Sequence, residues 1–234
     1  MSIGENIKHI QKLKEEAALR SGRKGENVLL VAVTKLHSTD EINEAIDCGI
    51  TDIGENKVQE IMDKYDRVKP VRWHLIGHLQ TNKVKYIIDK VSMIHSVDSL
   101  HLAKEIDKRA KQHNLTMDIL IQVNSAMEES KFGITTAETG QLINDILTEC
   151  PNVRIRGLMC IAPFEDNPDD ARVYFAEVKK LYDEYGKIDN PNLDFKYLSM
   201  GMSNDFEVAV EEGSNLIRVG TSIFGVRDYS KKMG

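Results

Sequence analysis

Short β-branched runs alternate with stretches of helical period along nearly the whole chain, and this alternation constrains the fold more than any single motif. The strand candidates are NVLLVAVTK (Asn27–Lys35), TDIGEN (Thr51–Asn56), RWHLIGHL (Arg72–Leu79), SMIHSV (Ser92–Val97), MDILIQVNS (Met117–Ser125), VRIRGLMCIA (Val153–Ala162), FKYLSMG (Phe195–Gly201) and LIRVGTSIFG (Leu216–Gly225). Helix signals lie between them. Ser38 to Glu41 and Thr135 to Glu138 read as capping boxes, and Asn204 with Glu207 resembles one. Asn167-Pro168 places a proline at a first helical position, and Gly49 and Gly213 stand where helices would stop. The stretch Asp169–Lys187 carries a broad apolar face that includes Phe175, Val178 and Leu181. One further helix, Glu5–Arg20, precedes the first strand.

Repeated strand–helix units imply a parallel sheet flanked by helices. Eight such units in 234 residues favour a single closed (β/α)8 TIM barrel, of the α/β class, with an extra N-terminal helix. An open doubly wound sheet is the alternative, because periodicity does not report closure. The expected organisation is one domain: a helix and lead-in over 1–26, the barrel over 27–225 and a tail over 226–234.

The bulk chemistry narrows the function. Hydrophobic residues make up 41% of the chain, enough for a sizeable core, and a net charge of -6 argues against nucleic acid as the main partner. No apolar run approaches the roughly 18 residues of a membrane span, and the polar N-terminus lacks the apolar core of a signal peptide, so a cytoplasmic location is expected. Cys48, Cys150 and Cys160 form no disulfide or zinc pattern and read as small buried residues.

In a barrel, chemistry collects at the C-terminal ends of the strands, and phosphate often binds after the last two. Here the seventh run ends in Ser199-Met-Gly-Met-Ser203, and the eighth carries Arg218-Val-Gly220-Thr221-Ser222. Glycines let backbone N–H groups approach an anion, and hydroxyls add donors. Arg218 lies inside an apolar strand, where it needs an anion in the barrel mouth or a buried carboxylate such as Glu55. Lys35 ends the first run. A lysine there can snorkel to water, bind an anion, or act as a nucleophilic amine toward a carbonyl. Its pKa would fall with burial and with Arg218 nearby. His74 and His78 lack a third ligand and read as structural. No P-loop, Gly-x-Ser-x-Gly elbow or Gly-x-Gly-x-x-Gly fingerprint is present.

VAVTK, IGENKVQE, WHLIGHLQTNK, IRGLMCIAP and LSMGMSNDFEVAVEEGSNLIRVGTSIFG, in that order, resemble the pyridoxal-5′-phosphate homeostasis protein family. That family is similar to the barrel domain of alanine racemase, a fold-type III pyridoxal phosphate barrel, standing alone. The resemblance runs from about Val28 to Tyr229 and is most specific over Leu198–Gly225. It implies pyridoxal 5′-phosphate (PLP) as cofactor, with Lys35 as its Schiff-base lysine and Arg218 facing the pyridine nitrogen. Gly220, Thr221, Ser199 and Ser203 would hold the phosphate, with Asn56 beside the cofactor. The chain departs from residues common in the family at Leu36-His37 and at His78.

The function implied is PLP binding in intracellular homeostasis, with little or no catalytic turnover. Apoenzymes that need the cofactor would be partners, and a monomer is expected. An amino-acid racemase is the alternative, and a barrel enzyme acting on a phosphorylated sugar is a third. Arg218, permanently charged, would keep the pyridine nitrogen unprotonated and weaken the ring as an electron sink. Racemisation also needs a second proton-transfer group. Tyr229, in the tail, is the residue available to propose for it.

Overall fold

A computed structural model of the chain describes residues 2–126, 128 and 132–225. Eight parallel strands close into a barrel in sequence order: β1 (Leu29–Val33), β2 (Asp52–Glu55), β3 (Arg72–Leu75), β4 (Met93–Val97), β5 (Met117–Val123), β6 (Val153–Cys160), β7 (Leu193–Ser199) and β8 (Leu216–Val219). The ring is sealed where β8 pairs with β1, Arg218 lying opposite Val31 and Ile217 opposite Leu30. The alternation in the sequence therefore closes, and the open sheet is excluded.

The helices are α1 (Ile3–Arg20), α2 (Thr39–Asp47), α3 (Val58–Lys64), α4 (Leu100–Gln112), α5 (Thr139–Glu149), α6 (Arg172–Tyr185), α7 (Phe206–Glu211) and α8 (Thr221–Phe224). Ser2 and Ser38 cap α1 and α2 with full capping boxes. Thr135 and Glu138 do bond reciprocally, but they do so in the turn that leads into α5, which begins one residue later. The expected box at Asn204 does not form: α7 starts after Asp205, and Asn204 instead donates to the Glu165 carbonyl. Pro168 opens a 3-10 turn (Pro168–Ala171) ahead of α6.

Two departures from regular strand–helix alternation shape the barrel. After β3 the connection is a 3-10 stretch, Thr81–Tyr86, in place of an α-helix. The final expected strand run splits, with β8 ending at Val219 and α8 starting at Thr221. With only four residues, α8 cannot cover its side of the barrel. The preceding helix does so: α1 packs against α2, α7 and α8 through Ile7, Ile10, Ala17 and Ala18, all buried. Lys14 threads its ammonium to the Val28 carbonyl (2.9 Å), and Asn6 reaches the Ile223 carbonyl (2.8 Å).

The apolar shell between strands and helices forms one continuous core, while a small second cluster, Met93, Leu120 and Met159, fills part of the barrel interior. The β6–β7 register shifts at Gly157, whose φ is +138° and where a Cβ would collide with the Tyr197 carbonyl. Only glycine fits that approach. Among the described residues no helix is long and apolar enough to cross a membrane, and no cluster of three or more metal-ligating side chains occurs. Cys150 and Cys160 are buried as expected, but Cys48, at the C-terminal end of α2, is exposed.

Candidate functional site

The C-terminal mouth of the barrel holds a cavity of about 560 Å³. It brings together Lys35, Asn56, Ser203, Arg218, Gly220 and Thr221, six of the seven expected site residues. Ile76, Ile161, Phe132, Phe164 and Met202 supply an apolar wall. The described residues lining it include two permanent or ordinary cations, Lys35 and Arg218, and no carboxylate. Such a lining suits an anion.

Lys35 stands two residues past the end of β1, in a turn closed by the His37 N–H to the Thr34 carbonyl (3.1 Å). Its side chain is half-buried. The two residues after Lys35 take different places. Leu36 is exposed at the tip of the turn, and His37 is buried and stacks on Phe224 of α8 at 4.4 Å. The Lys35 turn thus leans on the short helix that follows β8. Asn56 follows β2, and the backbone of Gly77 passes so close that a Cβ there would strike the Asn56 carbonyl.

Across the mouth, the Gly220 and Ser222 amides converge on Ser203 Oγ at 3.3 and 3.4 Å. Backbone donors that meet on one oxygen mark a place where an anionic oxygen would be stabilised. Thr221, exposed at the start of α8, adds a hydroxyl beside them.

Arg218 is only 3% exposed, and its guanidinium is gripped by three acceptors. One terminal nitrogen donates to the Ser199 carbonyl (2.8 Å) and to Ser199 Oγ (2.5 Å), and the other donates to the Cys160 carbonyl (2.9 Å). A guanidinium carries five N–H donors, so donors remain for a cavity ligand. Glu55 is not its partner, contrary to the alternative weighed from sequence. That carboxylate accepts from Thr34 Oγ1 (2.7 Å) and from Lys64 Nζ (2.8 Å) on the other side of the β1–β2 pair. Burial pushes Glu55 up to about 7, against the attraction of Lys64.

Ser199 is the one expected site residue that stands apart from the other six. It is fully buried and does not line the cavity, because its hydroxyl is committed to Arg218 and to His95 Nδ1 (3.2 Å). The position at the end of β7 suggested a phosphate ligand, but strand alternation turns it beneath the arginine.

From Ser199 a file of buried polar groups crosses the barrel interior. His95 Nε2 lies 2.9 Å from His74 Nδ1, and His74 Nε2 lies 2.8 Å from Asp52 Oδ1. The chemistry assigns the protons at its ends. Burial opposes ionisation of Asp52, but hydrogen bonds from His74, Arg72 and Thr51 outweigh it and hold the carboxyl well below its usual range. Asp52 therefore accepts, and His74 donates from Nε2. Burial, with the charges of His74 and Arg218 beside it, pushes His95 well down, so its ring is neutral. Arg218 donates to Ser199 Oγ, and His74 donates to Asp52 at the far end of the file.

His74 is thus structural, as expected. His78 is not: it is exposed, lines the cavity and stacks on Phe132 at 3.9 Å. The sequence reading also missed Asp52 and His95. Their signal was a polar residue at an inward position in the middle of an apolar strand. Tyr229 lies outside the described residues.

The residues from 8 to 228 match the family model described as alanine racemase, N-terminal domain. The chain is 44% identical to the pyridoxal phosphate homeostasis protein of Aquifex aeolicus, over 98% of this chain and 100% of that protein. The chain belongs to this family. The Escherichia coli K12 protein of the same name is 37% identical over 98% of this chain and 99% of that one. Among solved structures, PipY of Synechococcus elongatus PCC7942 with PLP bound superposes with a TM-score of 0.80 at 33% identity, covering 96% of this chain and all of that one. Alanine racemase of Clostridium difficile 630 shares the fold, with a TM-score of 0.73 at 15% identity. This chain spans 57% of that enzyme's length.

Proposed function

We propose that this chain binds pyridoxal 5′-phosphate reversibly at Lys35 and holds it for use elsewhere in the cytoplasm, with little or no turnover of its own. The observation that carries the reading is the mouth cavity: an amine-bearing lysine and a gripped arginine face one space without a carboxylate among its described lining. The converging Gly220 and Ser222 amides add a cradle suited to a phosphate. The relatives' names, and PipY's bound PLP, point the same way.

PLP supplies an aldehyde that a lysine amine can capture, a pyridine ring and a phosphate dianion. Lys35 would provide the amine. Ser203, Thr221 and the backbone at Gly220 would hold the phosphate, and Asn56 would flank the ring. Ser199 acts one layer further down, by fixing Arg218. Arg218 would offer an N–H to the pyridine nitrogen. Arginine donates and does not release a proton near neutrality, and burial keeps His95 behind it neutral. The pyridine nitrogen would then stay unprotonated, which limits stabilisation of carbanionic chemistry.

A racemase needs proton-transfer groups on both faces of a substrate carbon. Among the described residues lining the cavity there is no tyrosine. A holding role, with apoenzymes as recipients and the chain acting as a monomer, fits this site better. Purified protein should turn yellow with PLP, and mixing it with an apoenzyme that requires PLP should restore that enzyme's activity. L- and D-amino acids incubated with it in deuterated water should show no Cα exchange. A protein that takes up no PLP would overturn the reading, and Cα exchange would move it to a racemase.

A further inference from the structure

Lys35 is flanked by a buried charge cluster that the cavity does not include. Glu60 and Lys64 lie one turn apart on α3 and are 2% and 3% exposed. Lys64 Nζ donates to the Thr34 carbonyl (2.9 Å), to Glu55 (2.8 Å) and to Glu60 Oε2 (2.9 Å), which uses all three of its protons. The same Glu60 oxygen accepts from the backbone N–H of Leu36 at 2.7 Å. One member of the cluster therefore holds the peptide group before Lys35, and another holds the peptide group after it.

The turn they hold is not one the sequence favours. Leu36 sits at φ +66°, one of two non-glycine residues with positive φ among those described. A leucine there is strained and persists only where its surroundings over-determine it. Leu36 is itself 42% exposed, so side-chain packing contributes little. Burying two carboxylates and an ammonium is also a poor way to gain stability, since apolar residues of similar volume often do as well. What charged groups can do here, and apolar ones cannot, is present a donor and an acceptor to backbone on both sides of one residue.

We propose that Glu60 and Lys64 are positioning residues for Lys35: they clamp the flanking peptide groups, hold the left-handed turn at Leu36, and so aim the amine into the cavity. This rests on the reading of Lys35 as the lysine that captures the PLP aldehyde. The clamp itself is independent of the ligand.

The test compares wild type, Glu60→Ala, Glu60→Gln, Leu36→Gly and the double variant Glu60→Ala/Leu36→Gly. Hydrogen exchange of the Leu36 amide, measured without ligand, should be slow in wild type and at least tenfold faster in Glu60→Ala. Covalent capture of PLP, followed by its imine absorbance, should slow at least tenfold in Glu60→Ala and less in Glu60→Gln. Affinity for pyridoxine 5′-phosphate, which has no aldehyde, should stay within about twofold. Leu36→Gly relieves the backbone strain, so the double variant should recover most of the capture rate. Unchanged Leu36 exchange would overturn the clamp. A parallel loss of capture and of pyridoxine phosphate affinity, or no recovery in the double variant, would reduce Glu60 to a structural role and overturn the proposal. If Glu60→Ala does not fold, wild-type Leu36 exchange and Glu60→Gln capture still decide: an unprotected amide or an unchanged rate contradicts it. Wild type that binds pyridoxine phosphate but captures no PLP at Lys35 would instead overturn the reading of the site.

Discussion

The two cations of the mouth are held in opposite ways. Arg218 lies within a strand, and its side chain is gripped by Ser199 and the Cys160 carbonyl, with His95, His74 and an ionised Asp52 lined up behind. Lys35 lies beyond its strand, and the grip falls on the peptide groups either side of it. The difference follows from what each group must do. A fixed electrostatic element is best immobilised by its own charged atoms. An amine that must form and break a bond is better positioned through its backbone, leaving the reactive atom to change partners.

The largest expected effect separates these two roles. Lys35→Ala should abolish the imine band while the protein stays folded, because the cluster grips neighbouring backbone and loses nothing. Arg218→Met should do the reverse and cost stability first. It leaves the Ser199 and Cys160 acceptors buried without a donor, which costs about 1–3 kcal/mol for each group left unmade. Thermal unfolding of both variants checks the contrast, and an equal loss of stability in both would break it.

A smaller effect lies in pH. Glu55 has a folded pKa raised from 4.5 to about 7 by burial. The native state then binds more protons than the unfolded chain between those values. Its contribution is fully present below about pH 4.5 and is lost as pH rises through about 7, by roughly 3 kcal/mol. Glu55→Gln cannot titrate. The stability of wild type relative to this variant should fall across that window and stay level above it, as urea unfolding at several pH values would show. A flat difference would mean that the cluster does not carry the titrating carboxyl.

Ser199 and Ser203 give the finest contrast. Ser203→Ala should weaken PLP binding about tenfold or more, as expected for a lost bond to a charged group. Ser199→Ala should lower stability by about 1 kcal/mol and change affinity only a few-fold, because it acts through Arg218. Equal affinity losses in the two would return Ser199 to the phosphate.

Much of this was legible in the residues. Repeated strand–helix units gave the α/β class and favoured the barrel, closure itself being seen where β8 pairs with β1, and Lys35, Asn56, Ser203, Arg218, Gly220 and Thr221 stand where strand ends converge. What the residues did not show depends on stagger between strands. Asp52, His74, His95 and Ser199 each interrupt an apolar strand, but which of them touch is set by register around a closed ring. For the same reason the residues alone could not separate Ser199 from the cavity or decide between Glu55 and a mouth ligand as the partner of Arg218. Glu60 was hidden differently: a glutamate on a short helix reads as a solvated face, and its burial comes from α3 folding back over the Lys35 turn.

The central claim is that Lys35 is the covalent anchor. Borohydride reduction of PLP-loaded protein, followed by digestion and peptide mapping, tests it most directly. The expected result is a single phosphopyridoxyl group on the peptide that contains Lys35, absent from Lys35→Ala. Labelling confined to another lysine, or labelling undiminished in Lys35→Ala, would contradict it.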